Sequence, residues 1–203
     1  MTVDFGRTKL KIGFSFFLVA SLMLLLSDSK IALMCFLSSA AHELGHLFMM
    51  LVFSQRLRLI SFGAFGIRIE KDESVFQSYR RQALVALGGV FVNFIICAAA
   101  ALFYFLFKSL DAAALFFVNV FIAALNLMPA KSLDAWNALH CAFMLRMSEQ
   151  KALRTLSVIS AVTVIAFSAF CVVYFIFFGF NASLTAVCIY LLFLELRNGE
   201  SDG

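Results

Sequence analysis

The 203-residue sequence has one proline, charged residues at only 14% of its positions, and no low-complexity linker or internal repeat. These absences exclude a large soluble domain joined by a flexible tether. Paired cysteines are also missing. Cys35, Cys97, Cys141, Cys171 and Cys188 each stand alone in apolar or amphipathic surroundings, which excludes a zinc knuckle or a redox pair and marks them as packing residues. The net charge of +4 does not imply a nucleic-acid partner, because the basic residues sit at the ends of apolar segments rather than along a polar face. Residues 12–26 follow Arg7, Lys9 and Lys11 as in a signal peptide. No small-residue cleavage site leads into a soluble mature domain, so this stretch reads as a retained span. What the chain does have is 63% hydrophobic residues and 26 phenylalanines, the composition of a protein whose solvent is lipid.

The expected fold class is an all-α multi-pass membrane protein with about six transmembrane helices. The candidate spans are residues 12–26, 31–53, 84–107, 112–127, 156–178 and 184–196. A small membrane-associated β-hairpin is expected between the second and third, where charged and apolar residues alternate at the two ends of residues 56–70 and Gly63 and Gly66 break the middle. It serves as a connector, and its edge could pair with an unwound substrate segment. We read residues 1–203 as a single polytopic domain with a core at about 31–147. Outside the spans, every lysine and arginine except Lys30 and Lys108 falls on one side. By the positive-inside rule that side is cytoplasmic and holds both termini.

The most demanding stretch is Ala41-His42-Glu43-Leu44-Gly45-His46-Leu47, which sets ionisable groups inside an apolar span. Two histidines four positions apart on a helix differ by about 40° around the axis and about one turn in height, so both imidazoles can reach one metal ion. Glu43 then lies beside the water that the metal activates. His-Glu-x-x-His is the zinc metalloprotease signature, and desolvating such groups in lipid is costly enough to mark function.

Two histidines leave zinc short of ligands, since an open catalytic site takes three from the protein plus water. The fourth span ends in Asn126-x-x-Pro129-x-x-x-x-Asp134, and Pro129 should break the helix there. Asp134 then folds back at the membrane face where His42 and His46 emerge. It could equally cap the amphipathic helix marked by Trp136, Leu139, His140, Phe143, Met144 and Met147, a role open to Ser132 as well. His140 is a rival ligand but reads more simply as interfacial or packing. Glu195, near a span end, needs no more than solvation. Gly88, Gly89 and Asn93 open the third span, where small residues admit a neighbouring backbone and Asn93 can hydrogen-bond across the contact. Residues 38–41 are the counterpart on the second span.

Together, His42-Glu-Leu-Gly-His46, Gly89-x-x-x-Asn93 and Asn126-x-x-Pro129-x-x-x-x-Asp134 resemble the site-2 protease family of intramembrane zinc metalloproteases. The six-span organisation is most similar to the sporulation factor IVB type, without the C-terminal nucleotide-sensing domain of that type. The resemblance implies zinc held by His42, His46 and Asp134, Glu43 as general acid/base, and Asn126 and Pro129 as substrate-binding residues. It implies cleavage of a peptide bond within or next to a transmembrane segment of a membrane-tethered substrate, such as a pro-sigma factor or another membrane-bound regulator. It also implies a lipid bilayer around the chain, a bacterial inner membrane as its location, and a regulatory membrane partner. Where the family has Asp-Gly, this chain has Asp134-Ala135. The alternative is a zinc-binding pseudoprotease that retains client membrane proteins without cleavage, which the intact Glu43 argues against. A metal-ion transporter would need polar residues along a whole path through the membrane, and here they gather near one face.

Overall fold

The computed structural model describes residues 2–5, 8–12, 29–53, 57–63, 66–71, 78–131 and 133–199. Apart from residue 12, the expected first span lies outside the described residues, and so does Ser132. The chain divides into two compact units, Met1–Ala124 and Leu125–Gly203.

The first unit holds strands β1 (Thr2–Phe5), β2 (Thr8–Ile12), β3 (Leu57–Gly63) and β4 (Gly66–Lys71), which form one sheet in the order β1-β2-β3-β4. β3 and β4 pair antiparallel, with Gly63 opposite Gly66 at the turn. β1 and β2 also pair antiparallel, whereas β2 and β3 run parallel. A parallel pair requires a long crossover connection, and helix α1 (Ser29–Val52) lies within it. Strands β1 and β2 add to the expected helices and hairpin. Lys9-Leu-Lys-Ile alternates polar and apolar residues with the period of a strand, so the basic N-terminus pairs in a sheet.

The helices of this unit are α1, α2 (Tyr79–Ala86), α3 (Gly88–Phe107) and α4 (Leu110–Asn126), the last running two residues past the unit boundary. Their apolar side chains face outward. On α1, Leu33, Leu37, Leu44, Phe48 and Leu51 are exposed, while Ser38, His42 and His46 are buried. This reverses the pattern of a soluble helix. Ser38, His42, Gly45 and Met49 recur at helical spacing on α1, as Gly89, Asn93, Cys97 and Ala100 do on α3, and small residues in both stripes let the helices approach closely. The closest approach is at Gly45 and Gly88: a Cβ on Gly45 would lie 2.5 Å from the Gly88 carbonyl oxygen, and one on Gly88 would lie 2.8 Å from the Gly45 carbonyl oxygen.

The second unit contains α5 (Asp134–Met144), α6 (Glu149–Phe178) and α7 (Ala182–Gly199). Pro129 stands in the irregular turn between α4 and α5. The turn is braced by Met128 N–H donating to Leu125 O at 3.1 Å and Leu133 N–H donating to Ala130 O at 3.1 Å. Ala130 packs with Val164 of α6 and Leu191 of α7. Gly179 ends α6 with φ of +85°, a conformation that favours glycine, and the Asn181 side chain caps α7 by accepting from Leu184 N–H at 3.0 Å. Glu195 does more than meet solvent: its carboxylate accepts from Ser160 Oγ and lies 3.7 Å from Lys131 Nζ. The solvation reading is corrected because a buried lysine supplies a counter-charge from another segment.

Among the described residues, three helical stretches are long and apolar enough to cross a membrane: Lys30–Val52, Tyr79–Phe107 and Glu149–Phe178. Leu110–Asn126 and Leu184–Leu196 are shorter apolar helices. The five cysteines are free thiols, with Cys97, Cys141 and Cys171 buried.

Candidate metal centre

His42 and His46 occupy successive turns of α1 on the face toward α3, and are 4% and 8% exposed. Each Nδ1 has a partner on another helix. His46 Nδ1 lies 2.8 Å from the backbone carbonyl of Val85, near the end of α2; this carbonyl also accepts a backbone N–H from the helix cap and has a second lone pair for the imidazole. A carbonyl only accepts, so His46 Nδ1 carries the proton. His42 Nδ1 lies 3.1 Å from Asn93 Oδ1. The amide orientation of Asn93 follows from its other end, where Nδ2 donates to the Asn119 backbone carbonyl at 3.5 Å. His42 Nδ1 therefore donates to Asn93 Oδ1 as well.

With both Nδ1 atoms protonated, the two Nε2 atoms are left as acceptors, and they face each other 3.3 Å apart. The rings meet edge to face at 84°. A tetrahedral zinc with bonds of about 2.0–2.1 Å holds two imidazole nitrogens about 3.3 Å apart, so the pair fits that ion. Two converging lone pairs at this distance otherwise repel, and the second-sphere partners fix the tautomer that metal binding needs. Gly89 leaves the space open. A Cβ there would lie 2.6 Å from Nε2 of both His42 and His46.

Behind Asn93 the network continues. Asn119 Nδ2 donates to Ser38 Oγ at 2.9 Å and to Leu115 O at 2.9 Å. Asn93 and Asn119 are both 0% exposed. Asn93 thus both joins helices and holds a histidine. Sequence reasoning passed over Asn119, although a lone amide in the apolar helix α4 satisfies the same criterion that singled out His42. The Val85 contact is made by the backbone and has no residue-type signal.

Glu43 sits beside His42 on α1 and is half-buried. Asn126, Pro129 and Asp134 belong to the second unit. Asn126 ends α4, and both it and Pro129 are half-buried. Leu133 takes the N-cap position of α5, with φ −89° and ψ 166°, so Asp134 is the first helical residue rather than the cap. Ala135 lies within regular helix and is 8% exposed, so nothing in the backbone there requires glycine. His140 Nε2 is buried without a hydrogen-bond partner among the described residues.

No family model and no curated protein matches this chain. Among solved structures, the site-2 protease from Methanocaldococcus jannaschii matches with a TM-score of 0.67 and 16% sequence identity, over 97% of this chain and 94% of that one. At that identity the likeness is one of fold: this chain shares the fold of a site-2 protease.

Proposed function

We propose that the protein is an intramembrane zinc metalloprotease that hydrolyses a peptide bond within or next to a transmembrane segment of a membrane-tethered substrate. The observation that carries this reading is the His42–His46 pair, buried with each Nδ1 engaged and the Nε2 atoms 3.3 Å apart, beside a half-buried glutamate. Asp134 serves as the third ligand, giving the two imidazoles and one carboxylate of an open catalytic zinc site. Zinc bound there supplies Lewis acidity, polarising the scissile carbonyl and lowering the pKa of water.

The chain's own residues do the rest. Glu43 accepts the proton of the attacking water and returns it to the leaving amine as the peptide bond breaks. A helical substrate must unwind first, because its peptide groups are already hydrogen-bonded. Asn126 and the turn at Pro129 hold that unwound backbone, and β4, at an edge of the sheet order, pairs with it as an added strand. The distribution of lysine and arginine supports a cell-membrane protein with both termini and the active site toward the cytoplasm, and the resemblance to the sporulation factor IVB type points to a bacterial inner membrane and to a membrane-bound regulator as substrate.

Comparing membrane-protein fragments by mass spectrometry in cells expressing wild type or Glu43→Gln at equal levels tests the reading. Fragments with new ends in or beside a transmembrane segment should occur only with wild type. A client captured equally by both forms, with no product from either, would favour the pseudoprotease and sink the proposal.

A further inference from the structure

We propose that Lys131, Ser160 and Glu195 form a buried latch that positions Asp134, and so act as positioning residues for the metal centre. This rests on the reading of Asp134 as a ligand. The three residues come from the turn before α5, the middle of α6 and the last part of α7. Lys131 is 7% and Ser160 0% exposed. Lys131 is held twice: its backbone N–H donates to Ser160 Oγ at 3.0 Å, and its Nζ lies 3.7 Å from Glu195 Oε1. Ser160 Oγ in turn donates to the other carboxylate oxygen of Glu195. One hydroxyl therefore joins the backbone of the turn to the carboxylate that balances its side chain.

Apolar side chains would pack this place at least as stably, because desolvating an ion pair offsets most of its attraction. What an apolar contact cannot do is fix a backbone position. The turn needs fixing, since Pro129 has no N–H and residues 127–131 have no regular structure. Asp134 begins α5 three residues after Lys131, and the Leu133 N–H to Ala130 O bond at 3.1 Å closes the turn between them. A shift of Lys131 is thereby passed to Asp134, and metal–ligand distances in a sound site hold to within about 0.2 Å.

The test measures zinc affinity of the full chain in detergent, by competition with a chromophoric chelator, for wild type, Glu195→Gln, Ser160→Ala, Asp134→Ala and Glu195→Gln/Asp134→Ala. Glu195→Gln should weaken zinc binding about 10–100-fold, the usual effect of removing an outer partner, with a smaller loss for Ser160→Ala. In the Asp134→Ala background the Glu195 change should have no further effect, which a general loss of packing would not produce. Wild-type affinity in folded Glu195→Gln and Ser160→Ala, or an undiminished loss in the double variant, overturns the latch while leaving the ligand assignment standing. Wild-type affinity in Asp134→Ala removes the ligand assignment itself, and the latch with it. If Glu195→Gln does not fold, Ser160→Ala, which keeps both charges, decides alone.

Discussion

Replacing Gly89 by alanine tests the metal centre at its tightest point. Gly89 is the second residue of α3, and alanine is a better helix former than glycine, so α3 itself should tolerate the change. Yet the new methyl would stand 2.6 Å from His42 Cε1 and from Nε2 of both histidines. Reaching ordinary contact requires each ring to recede by about 0.8 Å. The rings are backed by Asn93 Oδ1 at 3.1 Å and by the Val85 carbonyl at 2.8 Å, so a displacement of that size disrupts both hydrogen bonds. Losing a buried hydrogen bond costs about 1–3 kcal/mol, and about 1.4 kcal/mol corresponds to tenfold in binding. Zinc affinity should therefore fall at least about 30-fold, with helix content unchanged. Zinc retained per chain against a competing chelator, read by elemental mass spectrometry beside circular dichroism, measures both quantities. Wild-type affinity would refute the geometry, and zinc loss only together with helix loss would assign the effect to packing.

Gly45→Ala should behave in the opposite way, because its Cβ meets the Gly88 carbonyl oxygen at 2.5 Å, and a backbone cannot swing aside. We expect destabilisation of about 1–3 kcal/mol, the range for overpacking, seen as a lower thermal midpoint in detergent. Asn93→Leu keeps the branched outline but removes the acceptor of His42 Nδ1, and should reduce zinc affinity about 10–100-fold. A competition titration giving the wild-type value would show that Asn93 serves packing alone.

What the sequence makes legible follows from how local each signal is. His42, Glu43 and His46 lie within five consecutive residues of one helix, so their cooperation needs no knowledge of the fold. Gly89 and Asn93 were recognisable as small and polar residues in an apolar span, but only the crossing of α1 and α3 makes one the floor beneath two imidazoles and the other the anchor of His42. Asn119 reaches Ser38 across 81 positions, and Glu195 reaches Lys131 across the length of α6. No spacing rule spans such distances. The Val85 carbonyl is less legible still, since every residue has one. At the N-terminus two signals overlapped: Lys9 and Lys11 read as topology markers, and the same residues belong to a strand whose parallel partner, β3, lies some fifty positions away.

The buried polar groups of the first unit follow one economy. A leucine in place of Asn119 would pack an apolar interface without leaving a polar atom stranded, whereas Asn119 Oδ1 is buried with no hydrogen-bond partner among the described residues, a loss of about 1–3 kcal/mol. That loss accompanies a gain in orientation. The Asn119 side chain, fixed by Ser38 Oγ and Leu115 O, ties α4 to α1, while its backbone carbonyl sets the Asn93 amide. Asn93 then sets the tautomer and rotation of His42. Removing any link lets the imidazole turn, and entropy would then have to be recovered when metal binds. The fold instead holds both Nε2 atoms 3.3 Å apart, the spacing that a tetrahedral zinc ion would require. The apolar exterior of α1 and α3 makes this economical, because no water competes for the hydrogen bonds within the helix contact.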